Sequence, residues 1–160
     1  MTLRVTVWRQ FGAAIAMLEN AIRACPDDLW RDQDRFPQYW AMVFHTLFFL
    51  EYYHADSREG FMPPAPFGLT ELDPSGVLPE RVYTKEEMLG YLEHCRKRIR
   101  FVIDTKDLDE PQKFGSVDGT ILEELLYSLR HVQHHTAQLN LLIRQVTHAD
   151  APRWVGAAHV

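Results

Sequence analysis

The sequence predicts an all-α fold: a four-helix bundle of up-down-down-up type, with one long Pro-rich crossover between its second and third helices. Three observations carry this. Apolar residues recur at helical spacing in four blocks separated by clusters of Pro, Gly and Asp. Nothing alternates with period two for long. The 160 residues, 46% apolar and 12% aromatic, are enough to close one core, so residues 1–160 are expected to form a single domain.

The first helix runs from about Thr6 to Ala24, with Phe11, Ile15, Leu18 and Ile22 on one stripe, and Pro26-Asp27-Asp28 stops it. The second starts after Pro37, a residue accepted in a first turn but not in a helix interior, and extends to about Asp56. Apolar side chains cover nearly its whole circumference, so it has to be buried on most sides and forms the centre of the bundle. Ser57 to Tyr83 contains Pro63, Pro64, Pro66, Pro74 and Pro79 and is a loop. A loop of that length is either functional, as a lid, binding loop or subunit contact, or a passive crossover between parallel or distant helices. The third helix opens on Thr84-Lys85-Glu86-Glu87, in which the first and last side chains each satisfy the other residue's backbone N–H, and it turns Met88, Leu92, Cys95, Ile99 and Val102 inward. The fourth opens on the equivalent Thr120-Ile121-Leu122-Glu123 and runs to about Val146. The tail from residue 147, with Pro152 and Trp154, is expected to fold back as an irregular cover.

Composition excludes several functions. Seventeen Lys and Arg against 22 Asp and Glu leave a charge of -5, the wrong sign for gripping a phosphate backbone, so no nucleic-acid partner is expected. The longest apolar segment, Tyr39 to Leu50, is interrupted by His45 and Thr46 and is shorter than the roughly 20 residues of a membrane span. Trp8-Arg9-Gln10 breaks any signal-peptide pattern near the N-terminus. Cys25 and Cys95 could make at most one bridge, which a chain this long does not need; both read as reduced structural thiols in a cytoplasmic protein.

The eight histidines are the feature that composition does not explain. His131 and His135 stand at i and i+4 in the fourth helix, about 40° apart and one turn along the same face, where two imidazoles can share one tetrahedral ion. The stripe of Leu122, Leu125, Leu129, Val132 and Leu139 lies to one side of them, so the pair borders the buried face and looks into a groove between helices. His45 lies within the most apolar block, where an imidazole has to find a partner. It is either a core histidine bonded to a backbone carbonyl or a third ligand, brought opposite the pair by an antiparallel helix. Three neutral imidazoles leave a coordination position for water or substrate, as in catalytic sites.

Around this trio, Glu124, Tyr127 and Gln138 share the His131 face, and Tyr52 holds the equivalent position relative to His45. Gln138, Tyr52 and His134 are the candidates for outer contacts, although His134 is rotated by about 100° from His135 and is a surface residue by the simpler reading. Tyr127 and Glu124 are the candidates for proton movement, Glu124 reading more simply as a first-turn carboxylate favoured by the helix dipole. His54 faces away from His45, and His94, His148 and His159 read as solvated. No Ser/His/Asp triad, phosphate-binding Gly loop or C-x-x-C pair is present.

A histidine inside an apolar second helix, a long crossover, and a fourth helix carrying H-x-x-x-H with Gln138 three residues on: over about Thr6 to Val146 this pattern resembles the DinB/YfiT-like superfamily of four-helix-bundle metalloenzymes. The resemblance implies that His45, His131 and His135 bind one divalent ion, usually zinc or nickel, and that the protein is a homodimer. It also implies a small-molecule substrate. Relatives include thiol S-transferases and isomerases that use a low-molecular-weight thiol, mycothiol or bacillithiol, and the metal-bearing domain of sulfoxide synthases of the ergothioneine type. The Arg-Gly-Gln that commonly follows the last histidine reads Thr136-Ala137-Gln138 here, which spares the ligands and removes the arginine. Water or thiol activation, in a transferase or a hydrolase, is the chemistry expected; a non-catalytic, metal-stabilised dimeric scaffold is the alternative.

Overall fold

Four long helices carry most of the chain in a computed structural model that describes residues 2–159. They are α1 (Leu3–Ala24), α3 (Tyr39–Tyr53), α4 (Lys85–Thr105) and α5 (Ile121–Thr147). Three of them start on local signals. Thr2 Oγ1 accepts from Val5 N in α1, and the expected capping boxes at Thr84/Glu87 and Thr120/Glu123 both form. α3 has no side-chain cap and no charges suited to its dipole. Its stability comes from packing: Tyr39, Val43, Phe44, Leu47 and Phe48 are fully buried.

α1 packs against α4 and α5, and α3 against the same two. Arg4 at the start of α1 donates to the carbonyls of Ile103 and Lys106 at the end of α4, while Lys85 at the start of α4 reaches the Cys25 carbonyl beyond the end of α1. Cys95 meets the Leu47 carbonyl at 3.5 Å and Arg98 that of His54 at 2.6 Å, tying α4 to α3. The predicted inward stripes of α1 and α4 are all buried.

Two elements were not anticipated. Asp27 and Asp28, read as a helix stop, begin the one-turn helix α2 (Asp27–Arg31), which buries Leu29 and Trp30 and sends Trp30 Nε1 to the Tyr83 carbonyl at 2.9 Å. A hairpin of β1 (Pro111–Phe114) and β2 (Val117–Thr120) precedes α5. Its two-residue turn places Gly115 at φ +58°, a value open to glycine without Cβ strain. Only Phe114 of the hairpin is buried, so the alternation that marks a half-buried strand never arises.

The 57–83 crossover is irregular, as expected, apart from a 3₁₀ turn at Thr70–Leu72. Its first half is packed down: Phe67 stacks on Tyr91 at 4.4 Å and on Phe44 at 5.7 Å, and Phe61 meets Phe48 edge-on at 5.5 Å. The tail returns along α1, with Ala158 N donating to the Arg9 carbonyl and Trp8 Nε1 to that of His159. A Cβ on Gly12 would stand 2.7 Å from that of Ala158, so the close approach requires glycine. Trp154 itself stays exposed. Among the described residues, no helix is long and apolar enough to cross a membrane.

Candidate metal centre

His45 comes from the middle of α3, and His131 and His135 from successive turns of α5, which packs across it. The three side chains are half-buried, at the rim of the bundle. His131 Nε2 lies 3.3 Å from His45 Nε2 and 3.1 Å from His135 Nε2. Nitrogens held about 2.0–2.1 Å from one tetrahedral centre are about 3.3–3.4 Å apart, so both spacings are close to an edge of such a site, and the three ligand atoms all lie within 4.8 Å of one another.

The outer nitrogens show which way the lone pairs point. His45 Nδ1 is 2.7 Å from Glu71 Oε2, and His135 Nδ1 is 2.8 Å from Gln138 Oε1. Both oxygens can only accept, which puts the proton on Nδ1 and leaves Nε2 as a lone pair in each neutral ring. Two lone pairs therefore face His131 Nε2, and a neutral His131 has one proton at most to offer them. The cluster cannot satisfy itself with hydrogen bonds, and a cation at its centre fits the donor set. Burial, with the neighbouring His135 and His45, pushes His131 down to about 3, and burial also lowers His135. Both rings stay neutral near pH 7, the form that binds metal.

Phe49 walls one side, its ring 4.9 Å from His45 and 6.2 Å from His131. A groove of about 350 Å³ opens beside His131, lined by Tyr127, Arg130, His131 and His134. Tyr127 shares that groove with His131, and its ring is 5.5 Å from those of both Tyr53 and Phe114. His134 is exposed, its ring 5.0 Å from that of His135. Tyr52 packs against Phe48, Phe49, Tyr53 and Phe61, beneath Arg58, rather than against the histidines.

Glu124 is not the solvated first-turn carboxylate of the simpler reading. It is 2% exposed, paired with Arg58 at 2.5 Å and Gln112 at 3.1 Å, and burial raises its pKa. Arg58 arrives from the crossover and Gln112 from the hairpin, so no local pattern announces the pocket. Nearby, His54 is buried with Nε2 2.9 Å from Ser128 Oγ, and burial together with the Arg98 and Arg58 charges drives it down to about 3. His94 is exposed, as expected, and also meets Glu51 at 2.6 Å, a carboxylate that accepts from Tyr91 at 2.7 Å.

Glu71 is the site residue that sequence reasoning missed. It sits 26 positions from His45 in a Pro-rich loop, with no spacing signal linking the two. Set against protein-family models, curated proteins and solved structures, the chain matches none, so the case for a metal centre rests on the convergence of these three imidazoles.

Proposed function

We propose that this is a divalent-metal-binding protein of the DinB/YfiT-like kind, in which His45, His131 and His135 hold one Zn²⁺ or Ni²⁺ ion and the site activates water or a low-molecular-weight thiol. The observation that carries the reading is the approach of the three Nε2 atoms, at 3.1 and 3.3 Å, with two lone pairs turned inward. Helix directions agree with it. The end contacts of α1 with α4, the contacts of Leu47 with Cys95 and His54 with Arg98, and the meeting of Tyr53 with Tyr127 and His45 with His135 support an up-down-down-up order.

When bound, such an ion supplies Lewis acidity that lowers the pKa of water or a thiol near 7. The chain's own residues do the rest. Glu71 and Gln138 fix the tautomers of two ligands. Phe49 covers one face of the trio, while Tyr127, hydrogen-bonded to Tyr53, and His134 line the groove beside His131 from which a small molecule would approach and exchange a proton with them. A thiol S-transferase is preferred over a hydrolase because of the resemblance to thiol-dependent relatives. A cytoplasmic homodimer belongs to the same reading.

The second reading is a non-catalytic, metal-stabilised dimeric scaffold. It is favoured by apolar side chains left exposed along α5, where Leu126, Leu141 and Val146 are each more than two-fifths exposed. Metal analysis of tag-free protein separates metal binding from its absence: one divalent ion per chain is expected in the parent and none in His131→Ala. Parent protein without a stoichiometric ion would end the metal reading. Thermal denaturation with chelator divides the other two, since an ion with a structural role contributes strongly to stability. Light scattering reads the oligomeric state.

A further inference from the structure

Glu71 and His45 belong to different parts of the fold, one on the crossover and the other on the central helix, yet their side chains meet at 2.7 Å. The Glu71 side chain is 16% exposed, and His45 is its hydrogen-bond partner. Its position within the crossover is the informative point. Up to Glu71 the segment is pinned by Phe61 and Phe67, and the 3₁₀ turn closes on itself through Leu72 N to the Leu69 carbonyl at 2.9 Å. Immediately beyond it, residues 72–78 are all exposed. Glu71 is thus the last attachment of the docked half of the loop, and that attachment is made to an atom of the proposed metal-binding ring.

We propose that Glu71 is a positioning residue that latches the crossover to the metal centre, so that loop docking and metal affinity are a single coupled equilibrium. The inference rests on the metal reading of the same site. Its carboxylate holds His45 with the proton on Nδ1 and Nε2 turned inward, makes the ring a stronger donor, and sets a negative charge one imidazole away from the cation. An undocked loop would free the ring to rotate and to change tautomer. By linkage, what docking contributes to metal affinity, metal must return to docking. A carboxylate that merely decorated an exposed histidine would show neither effect.

The test uses the full-length, tag-free chain and Zn²⁺ alone as the probe. Affinity is measured by competition with a chromophoric chelator for the parent, Glu71→Gln and Glu71→Ala, with far-UV circular dichroism to establish folding. Removing an outer-shell partner of this kind weakens binding by about 10–100-fold, the loss expected for Glu71→Ala. Glu71→Gln, which can still accept from Nδ1 but carries no charge, should fall between it and the parent, with a loss of roughly threefold or more. Limited proteolysis supplies the second arm: Zn²⁺ should slow cleavage within residues 72–80 of the parent and leave that of Glu71→Ala unchanged. Folded Glu71→Ala that binds Zn²⁺ within twofold of the parent overturns the latch while leaving the metal site standing. Should Glu71→Ala fail to fold, parental affinity in Glu71→Gln overturns it equally. A parent that binds no Zn²⁺ removes the metal reading and the latch with it.

Discussion

His54→Gln should flatten part of the pH dependence of this protein's stability. His54 is 4% exposed, its Nε2 is bonded to Ser128 Oγ, and its own carbonyl accepts from Arg98. Burial and the two nearby guanidinium groups hold the folded-state pKa at about 3, whereas the unfolded chain titrates near the ordinary value of about 6.5. Between those values the unfolded state binds the proton and the folded state does not. The stability associated with neutral His54 is therefore fully present above about pH 6.5 and is lost as pH falls towards the folded pKa. At about 1.4 kcal/mol per unit, the loss between pH 7 and pH 5 comes to about 2 kcal/mol, and any folded-state value below about 4 gives the same figure. Glutamine can still bond Ser128 but does not titrate. The assay is urea denaturation of parent and variant at pH 7, 6 and 5, with chelator in every sample so that the His45, His131 and His135 cluster contributes equally to both. The stability gap between the two proteins should change by about 2 kcal/mol across this range, about 1 M in urea midpoint at a slope of about 2 kcal/mol/M. Parallel profiles, within about 0.5 kcal/mol, would refute the claim that a neutral imidazole is buried here.

Other expectations follow from the same structure. Phe44→Ala removes a fully buried ring packed on Phe48, Phe67 and Tyr83 and should cost about 3–5 kcal/mol in chemical denaturation, whereas Phe36→Ala, at a ring 98% exposed, should stay within about 0.5 kcal/mol. Arg58→Ala strands the buried Glu124 carboxylate with Gln112 alone; because Arg58 is itself partly exposed, about 2–3 kcal/mol is expected, and adding Glu124→Gln should recover most of it. Gly12→Ala forces its new methyl against Ala158, so carboxypeptidase should trim the tail faster than in the parent while the main thermal transition moves little. Unchanged trimming would mean that the tail does not depend on that approach.

The long helices were legible because their causes are local. The boxes at Thr84/Glu87 and Thr120/Glu123 act within one turn, and the stripe of Phe11, Ile15, Leu18 and Ile22 repeats with the helix itself. α2 and the hairpin were not legible for the converse reason. One turn of helix has no period to detect, and a hairpin with one buried residue has no alternation. Glu124 was misjudged on the same principle: it lies in a stretch of ordinary polarity and owes its burial to Arg58 and Gln112, which chain order does not bring near.

The sequence by itself determined that His131 and His135 share a helix face, because an i,i+4 spacing is geometry internal to α5, and it marked His45 as an imidazole in apolar surroundings that needs a partner. Only the tertiary structure decided that His45 meets that pair, and that Glu71 turns the inner nitrogen of His45 into a lone pair. The separation between two residues on one helix is fixed by its rise and turn, while that between α3, the crossover and α5 is set by which faces pack together, a property of the whole core.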